Sequence, residues 1–274
     1  NQVWDIYSDI PGGVAPYIYT LGVNQCGTYS GEGDCYNREH TWPQNYFNGQ
    51  PPMQTDLHHI FPTDGHVNGK RGSFPYGKVL TPSWTSDNGS KTGNSNNYPG
   101  YILDVFEPID SFKGDIARVY FYMSTRYEGE DAGWLNWPMA NGAVLTTEAI
   151  ALLMSWHQLD PVSQREKDRN EATFLIQQNR NPFIDYPLFA DCIWGTGDCS
   201  ALDVEENDTK NNLAFYPNPA TDQIILAASL SNSSYSISDL TGREIQQGFV
   251  DALGIVHLNQ LEKGMYIFRL KNNY

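Results

Sequence analysis

Basic residues are scarce in this chain: 17 lysines and arginines stand against 32 aspartates and glutamates, a formal net charge of −15 over 274 residues. Phosphate binding is driven largely by basic side chains that release counterions, so composition alone argues against a nucleic-acid partner. Two things weaken that objection. A bound divalent cation is often the largest charge in a local cleft, and overall acidity also serves to keep a secreted protein soluble. Long apolar runs are absent too, with no stretch of about eighteen residues that would form a spanning helix. The opening Asn1-Gln2-Val3-Trp4-Asp5 lacks the basic and apolar regions of a signal peptide, so the chain reads as mature or trimmed protein. Cysteine is limited to four residues, in two close pairs, Cys26 with Cys35 and Cys192 with Cys199. Neither pair has the spacing of about two to four residues found in zinc knuckles, and the glycine-containing segments between them suit tight disulfide loops. Four cysteines allow three connectivities, of which local pairing is the simplest. The 40% hydrophobic content that remains is enough for one large domain or two smaller ones, each with its own core.

Histidine is also rare, yet four of the six lie between Asp34 and Arg71. That segment holds Arg38-Glu39-His40, Asp56, His58-His59, Asp64, His66, Asn68 and Arg71. It supplies a base that titrates near neutral pH, oxygen ligands for a hard cation and a planar cation for phosphate. These are the parts of a metal-assisted phosphodiesterase. A short strand is expected from Asn37 to Trp42, with Pro43 ending its pairing, and a second from Leu57 to Phe61. Thr63-Asp64 supplies an N-cap for a helix over His66 to Arg71, on which Asn68 and Arg71 share a face. Adjacent strand residues point to opposite faces, so Glu39 and His40 both serve one substrate only if the strand ends or twists there.

Cys35-Tyr36-Asn37-Arg38-Glu39-His40-Thr41-Trp42-Pro43-Gln44 and Asp56-Leu57-His58-His59-Ile60-Phe61-Pro62-Thr63-Asp64-Gly65-His66-Val67-Asn68-Gly69-Lys70-Arg71 resemble the endonuclease I family of secreted ββα-metal (His-Me finger) nucleases. Lys113-Gly114-Asp115-Ile116-Ala117-Arg118, Tyr122-Met123-Ser124-Thr125-Arg126-Tyr127, Trp156-His157 and Asn179-Arg180-Asn181-Pro182-Phe183-Ile184-Asp185 follow in the order that family uses, so the resemblance covers roughly residues 1 to 190. Relatives generally carry a further N-terminal stretch ahead of the segment that begins here. The resemblance implies Glu39 and Asn68 as metal ligands, suited to Mg²⁺ with Ca²⁺ or Mn²⁺ as substitutes, and His40 as general base. Arg71 is a candidate to hold a phosphate, with a surface salt bridge as the plainer alternative. Of His58 and His59, one reads as a neighbour supporting the site and the other as packing. His157 reads as a core histidine, and Arg180 as structural.

Elsewhere, the Ser, Thr, Asn, Gly and Pro mixture from Gly72 to Asn97 signals long surface loops that could lie against substrate. Apolar residues at helical spacing from Gly114 to Tyr127 predict a packed helix with Arg118 and Arg126 off its apolar stripe. Further helices are expected from Thr147 to Leu159 and from a capping box at Ser163-Gln164-Arg165-Glu166. The fold class is α+β, a ββα-metal nuclease domain over 1–203. An acidic linker over 204–212 then leads to a small all-β sandwich over 213–274. In that last region Phe215-Tyr216-Pro217-Asn218-Pro219-Ala220, Asp239-Leu240-Thr241-Gly242-Arg243 and Lys263-Gly264-Met265-Tyr266 resemble the C-terminal sorting domain of bacterial type IX secretion. A carbohydrate- or protein-binding β module is the competing reading.

The expectation from sequence is a secreted or cell-surface monomer acting on DNA, with action on RNA left open, and engaging the type IX machinery through its C-terminal domain. It would cut without sequence preference, since backbone contacts carry no sequence information directly, and leave 5′-phosphate and 3′-hydroxyl ends as the resemblance implies. Two other classes compete. One is an extracellular phosphoesterase on small substrates; the other is a noncatalytic surface-binding protein on a nuclease scaffold, which would be marked by loss of Glu39, His40 or Asn68.

Overall fold

The computed structural model describes residues 2–99, 104–195, 199, 215–258 and 261–271. The chain divides into two units, Asn1–Cys199 and Ser200–Tyr274. The acidic segment 204–212 expected as a linker lies outside the described residues.

The first unit is built on a central helix, α2 (Lys113–Tyr127), in which only Thr125 and Arg126 escape burial. A helix buried on nearly every side must find partners for the charges it carries, and α3 (Thr147–Leu159) packs along it. Aromatic side chains fill the remaining space, with Trp42 stacked on Tyr120 at 5.2 Å and edge-on to Trp134 and Trp137. Arg118 lies off the apolar stripe, yet not on the surface: its side chain is fully buried and binds Glu166 through Nε at 2.6 Å and Nη2 at 2.8 Å. Glu166 is also the third helical residue of the capping box that opens α4 (Gln164–Gln177), so one carboxylate both starts a helix and balances a buried charge. Arg126 does lie on the surface, beside Glu130. Arg180 is spent on Asp185 and Glu171 near α5 (Pro182–Asp185), and α6 (Leu188–Trp194) follows. Both disulfides are local, Cys26–Cys35 and Cys192–Cys199.

Strand β1 (Tyr36–His40) pairs antiparallel with β2 (Ile60–Asp64), with Tyr36 opposite Asp64 and His40 opposite Ile60. β1 stops at His40, two residues short of the expected end. β2 begins three residues later than expected, because Leu57 to His59 form a turn. The Asp56 carboxylate accepts from the His58 N–H, and the Arg169 guanidinium holds the carbonyls of Leu57 and Ile60. Pro62 sits within β2, which a sheet of only two strands tolerates. Helix α1 (Gly65–Arg71) follows without a break, its first turn capped by Asp64 accepting from Val67 N at 2.8 Å.

The segment after α1 is more ordered than its composition implied. β3 (Thr81–Thr85), β4 (Lys91–Asn94) and β5 (Asp104–Glu107) make a three-stranded antiparallel sheet. The polar residues read as loop make the β3–β4 turn, where Ser86 N bonds Ser90 O at 2.7 Å and the Asn88 side chain accepts from Ser90 N. A short hairpin of β6 (Ala140–Asn141) and β7 (Val144–Leu145) precedes α3. No helix among the described residues is long and apolar enough to cross a membrane.

The second unit has two antiparallel sheets. One orders β10 (Glu244–Phe249), β9 (Ser234–Ser238) and β12 (Ile267–Lys271); the other pairs β11 (Ile255–His257) with β8 (Gln223–Ile225). Both sheets contribute to one apolar cluster, Ile224 and Val256 from one and Tyr235 and Ile237 from the other, as a small sandwich requires. The Asp239-Leu240-Thr241-Gly242-Arg243 motif is a turn in which the Asp239 carboxylate accepts from the Thr241 and Arg243 N–H groups. Gly242 there has φ +86°, a conformation that favours glycine.

Candidate active site

β1 and α1 bring the predicted residues together from two sides. Alternation along β1 sends Asn37 and Glu39 toward α1, and Arg38 and His40 to the opposite face. On the α1 side there are two consecutive rungs. Asn37 Oδ1 accepts from Asn68 Nδ2 at 2.7 Å, and Glu39 Oε1 lies 3.1 Å from Arg71 Nη1. The second Asn68 amide hydrogen goes to the Arg38 carbonyl at 3.3 Å. With both amide hydrogens spent on β1, the Asn68 side-chain oxygen is turned away from those two partners.

Glu39 is only 3% exposed. Its Oε1 also accepts from the Tyr7 hydroxyl at 2.7 Å, and that hydroxyl shares a short hydrogen bond with Tyr76. Burial pushes the Glu39 carboxyl up, while Arg71 and Tyr7 pull it back down. Sequence reading missed both tyrosines, which lie 32 and 37 positions away along the chain and carry no local signal. It missed Asn37 as well, although a polar residue two before Glu39 on a strand must share its face.

Arg71 does not stand where a phosphate contact was expected. It is 1% exposed and turned inward, donating from Nη2 to Thr41 O at 2.6 Å and from Nη1 to His40 O and Gly72 O at 3.2 Å. The guanidinium also lies 4.8 Å from the Tyr76 ring centre. The physical reason is the buried carboxylate of Glu39, which requires a counter-charge in the interior. Arg38, by contrast, is exposed and has no carboxylate partner among the described residues. It shares the outer face of β1 with His40.

His40 is half-buried, with Nε2 3.0 Å from the carbonyl oxygen of Gln54. A carbonyl only accepts, so Nε2 carries the hydrogen and Nδ1 keeps the lone pair of the neutral ring. Burial lowers the His40 pKa below the ordinary imidazole value; the Gln54 contact opposes this, and Arg38 and Arg71 add to it. The ring packs edge-on to His59 at 5.3 Å. His59 is wholly buried, its Nε2 on Met53 O at 2.6 Å, and burial drops its pKa to about 4. His58 leans on Tyr122 with its Nε2 3.3 Å from Asn179 O. His157 is a satisfied core histidine between Arg118 and Pro187 O.

No group of three or more His, Cys, Asp or Glu side chains among the described residues could hold a metal ion, which argues against a zinc-type cage. The donors at the β1–α1 seam, one carboxylate and one amide oxygen, suit instead a hard cation that keeps most of its water. Arg71 already balances Glu39, so such a cation would be weakly held and exchangeable.

Two antiparallel strands followed directly by a helix, with a histidine ending the first strand and an asparagine inside the helix, define a ββα nuclease-type unit. Comparison with known proteins agrees. The Endonuclease I family model matches residues 1–188, and the chain belongs to that family. It is 36% identical over 210 residues to an extracellular ribonuclease of Bacillus amyloliquefaciens, covering 71% of this chain and 68% of that protein. It is 40% identical over 187 residues to an extracellular ribonuclease of Bacillus subtilis, covering 65% and 60%. It is 29% identical over 140 residues to an extracellular deoxyribonuclease of Aeromonas hydrophila, covering 48% and 50%. The model of a secretion system C-terminal sorting domain matches residues 214–274. With that domain and such relatives, the protein is a secreted or cell-surface one.

Proposed function

We propose that residues 1–199 form an endonuclease that hydrolyses phosphodiester bonds in both DNA and RNA with little sequence preference. The observation that carries this reading is the pinned ring of His40. The Gln54 carbonyl fixes the tautomer, burial keeps the ring neutral, and Nδ1 is left as a proton acceptor. A neutral imidazole at physiological pH can take the proton of an attacking water. Arg38, beside it on the outer face of β1, is the cation we assign to the phosphate in place of Arg71. Glu39 and Asn68 would hold a divalent cation, Mg²⁺ in the first instance, from the α1 side. When bound, such an ion stabilises negative charge on the phosphoryl and leaving oxygens.

Because β1 ends at His40, a phosphodiester laid across the end of the strand would meet His40 from one side and the Glu39–Asn68 pair from the other. Attack by the activated water expels the 3′-oxygen and leaves a 5′-phosphate. Relatives named as ribonucleases and as deoxyribonucleases both support action on either polymer. The second unit would address the protein to the type IX export machinery.

The test is nicking of supercoiled plasmid and degradation of RNA by the purified chain in Mg²⁺, Ca²⁺ and EDTA, alongside His40→Ala. Activity abolished by EDTA and by the substitution, with metal binding retained in the variant, is the expected result. Intact plasmid and RNA under every metal would overturn the reading. Cleavage of small chromogenic phosphoesters alone would move it to a phosphoesterase.

A further inference from the structure

Three aromatic rings form a strip along the surface of α1. Tyr29 stands edge-on to His66, ring centres 6.1 Å apart with planes at 83°, and His66 lies 6.1 Å from Trp84 on β3. The ammonium of Lys70 sits 5.8 Å from the Trp84 ring centre. All three rings are half-buried, Lys70 is exposed, and Lys70 has no carboxylate partner among the described residues. The cation therefore stands beside partly exposed rings with its charge available to an anion.

The strip adjoins the candidate active site and is held in place. Tyr29 lies directly on α1 where two residues lack side chains. A β-carbon on Gly65 would come within 2.6 Å of the Tyr29 ring, and one on Gly69 within 2.5 Å of its hydroxyl. The same Gly65 position is 3.3 Å from the Asn37 amide, which orients Asn68. Glycine in a helix interior, as at Gly69, costs about 1 kcal/mol relative to alanine, and here both glycines leave room for the Tyr29 ring. The Cys26–Cys35 disulfide closes the loop that carries it. From the far side, β3 brings Trp84 over the last turn of α1. Asp34, on the same loop as Tyr29, is engaged by the N–H groups of Ser30 and Gly31.

We infer that Tyr29, His66, Trp84 and Lys70 form a subsite for an unpaired nucleotide, the base against the Trp84 and His66 rings and a flanking phosphate on Lys70, so that single-stranded nucleic acid binds better than duplex. Aromatic rings bind bases of any sequence because every base has a π-face, but the faces are accessible only when the base is unstacked. Paired carbonyl or amide groups that would read a base edge are not needed, in keeping with low sequence preference. The inference rests on the nuclease reading above and adds to it a preference, in binding, for strands whose bases can be splayed out.

The experiment uses the whole chain with fluorescein-labelled 12-mers, as single-stranded RNA, single-stranded DNA and DNA duplex, with Ca²⁺ and the His40→Ala background to prevent cleavage. Trp84→Ala is expected to weaken single-strand binding about tenfold while leaving duplex binding within about twofold. Lys70→Ala is expected to weaken both and to reduce the slope of log affinity against log salt by about one. Trp84→Phe keeps a ring on β3 and should restore most of the single-strand affinity, which separates stacking from damage to the sheet. Equal losses on single strands and duplex in Trp84→Ala, or unchanged single-strand binding, would overturn the subsite. Failure of the parent chain to bind any of the three probes would instead count against the nuclease reading itself.

Discussion

The two faces of β1 hold residues of the same kinds to different ends. On the α1 side, Glu39 and Asn37 are tied to neighbours: Tyr7 and Arg71 on Oε1 of the carboxylate, Asn68 on the amide oxygen. On the outer side, Arg38 has no carboxylate partner among the described residues, and His40 is fixed by one carbonyl with its other nitrogen left over. A five-residue strand thus separates a satisfied, buried ion pair from a charged and basic surface. The difference teaches that adjacency in a motif does not mean a common role. Arg38-Glu39-His40 reads as one cluster, yet the middle residue is paired on the α1 side while the outer two lie on the opposite face of the strand.

Replacing His40 tests the outer face most sharply. His40→Ala should lower kcat on plasmid by about two to four orders of magnitude, the usual worth of a general base, with the melting temperature nearly unchanged because only one carbonyl contact is lost. A large drop in melting temperature instead would assign the ring to the fold. Arg71→Met tests the inner face and should act first on stability. It removes the counter-charge of a fully buried carboxylate, at a cost of about 3–5 kcal/mol in stability by chemical denaturation. The sign with pH follows from Glu39. Losing Arg71 raises its folded pKa further above the unfolded value, so the variant should lose stability as pH rises from about 4.3 toward neutrality, more steeply than the parent. An Arg71→Met protein as stable as the parent at pH 8 would mean that the ion pair is dispensable.

Much of this contrast was legible in the chain and some was not. The N-cap at Asp64, the helix over α1, the capping box at Ser163 and the bounds of α3 are local devices, set by side chains within four residues, and each stands where the sequence placed it. The strand start in β2 was missed because Arg169, more than a hundred positions away, ties the carbonyls of Leu57 and Ile60 into a turn. The β3–β5 sheet was missed because its polar residues resemble loop until pairing partners are known. Arg71 was misplaced because a cation in a motif looks like a ligand for substrate, and only the fold shows a buried carboxylate waiting for it, as it also does for Arg118. His40 ends β1 on the strand that the sequence placed there, but the Gln54 carbonyl that fixes its ring lies 14 positions away and gave no local signal.

A smaller effect probes the seam where the two faces meet. Asn37→Ala frees one Asn68 amide hydrogen and lets the amide turn, so affinity for Mg²⁺ or Mn²⁺ by calorimetry should fall about tenfold, as for other residues that orient a metal ligand. Asn37→Asp still accepts from Asn68 Nδ2 and should recover the affinity, whereas a purely structural role for Asn37 would show in the melting temperature and not in the titration.

The smallest effect couples Arg38 to His40. Burial holds the His40 pKa below the ordinary value of about 6.5, so the acidic limb of kcat/KM should lie below that pH. Activity is lost as pH falls through the limb, because protonated His40 cannot accept from water. Arg38 contributes to the depression by its positive charge, so Arg38→Ala should move the limb upward by a fraction of a unit while raising KM for nucleic acid. If the limb stays fixed and only KM rises, Arg38 binds phosphate without tuning the base. If neither moves, the outer face of β1 does not carry the substrate, and the division of labour across the strand would have to be drawn elsewhere.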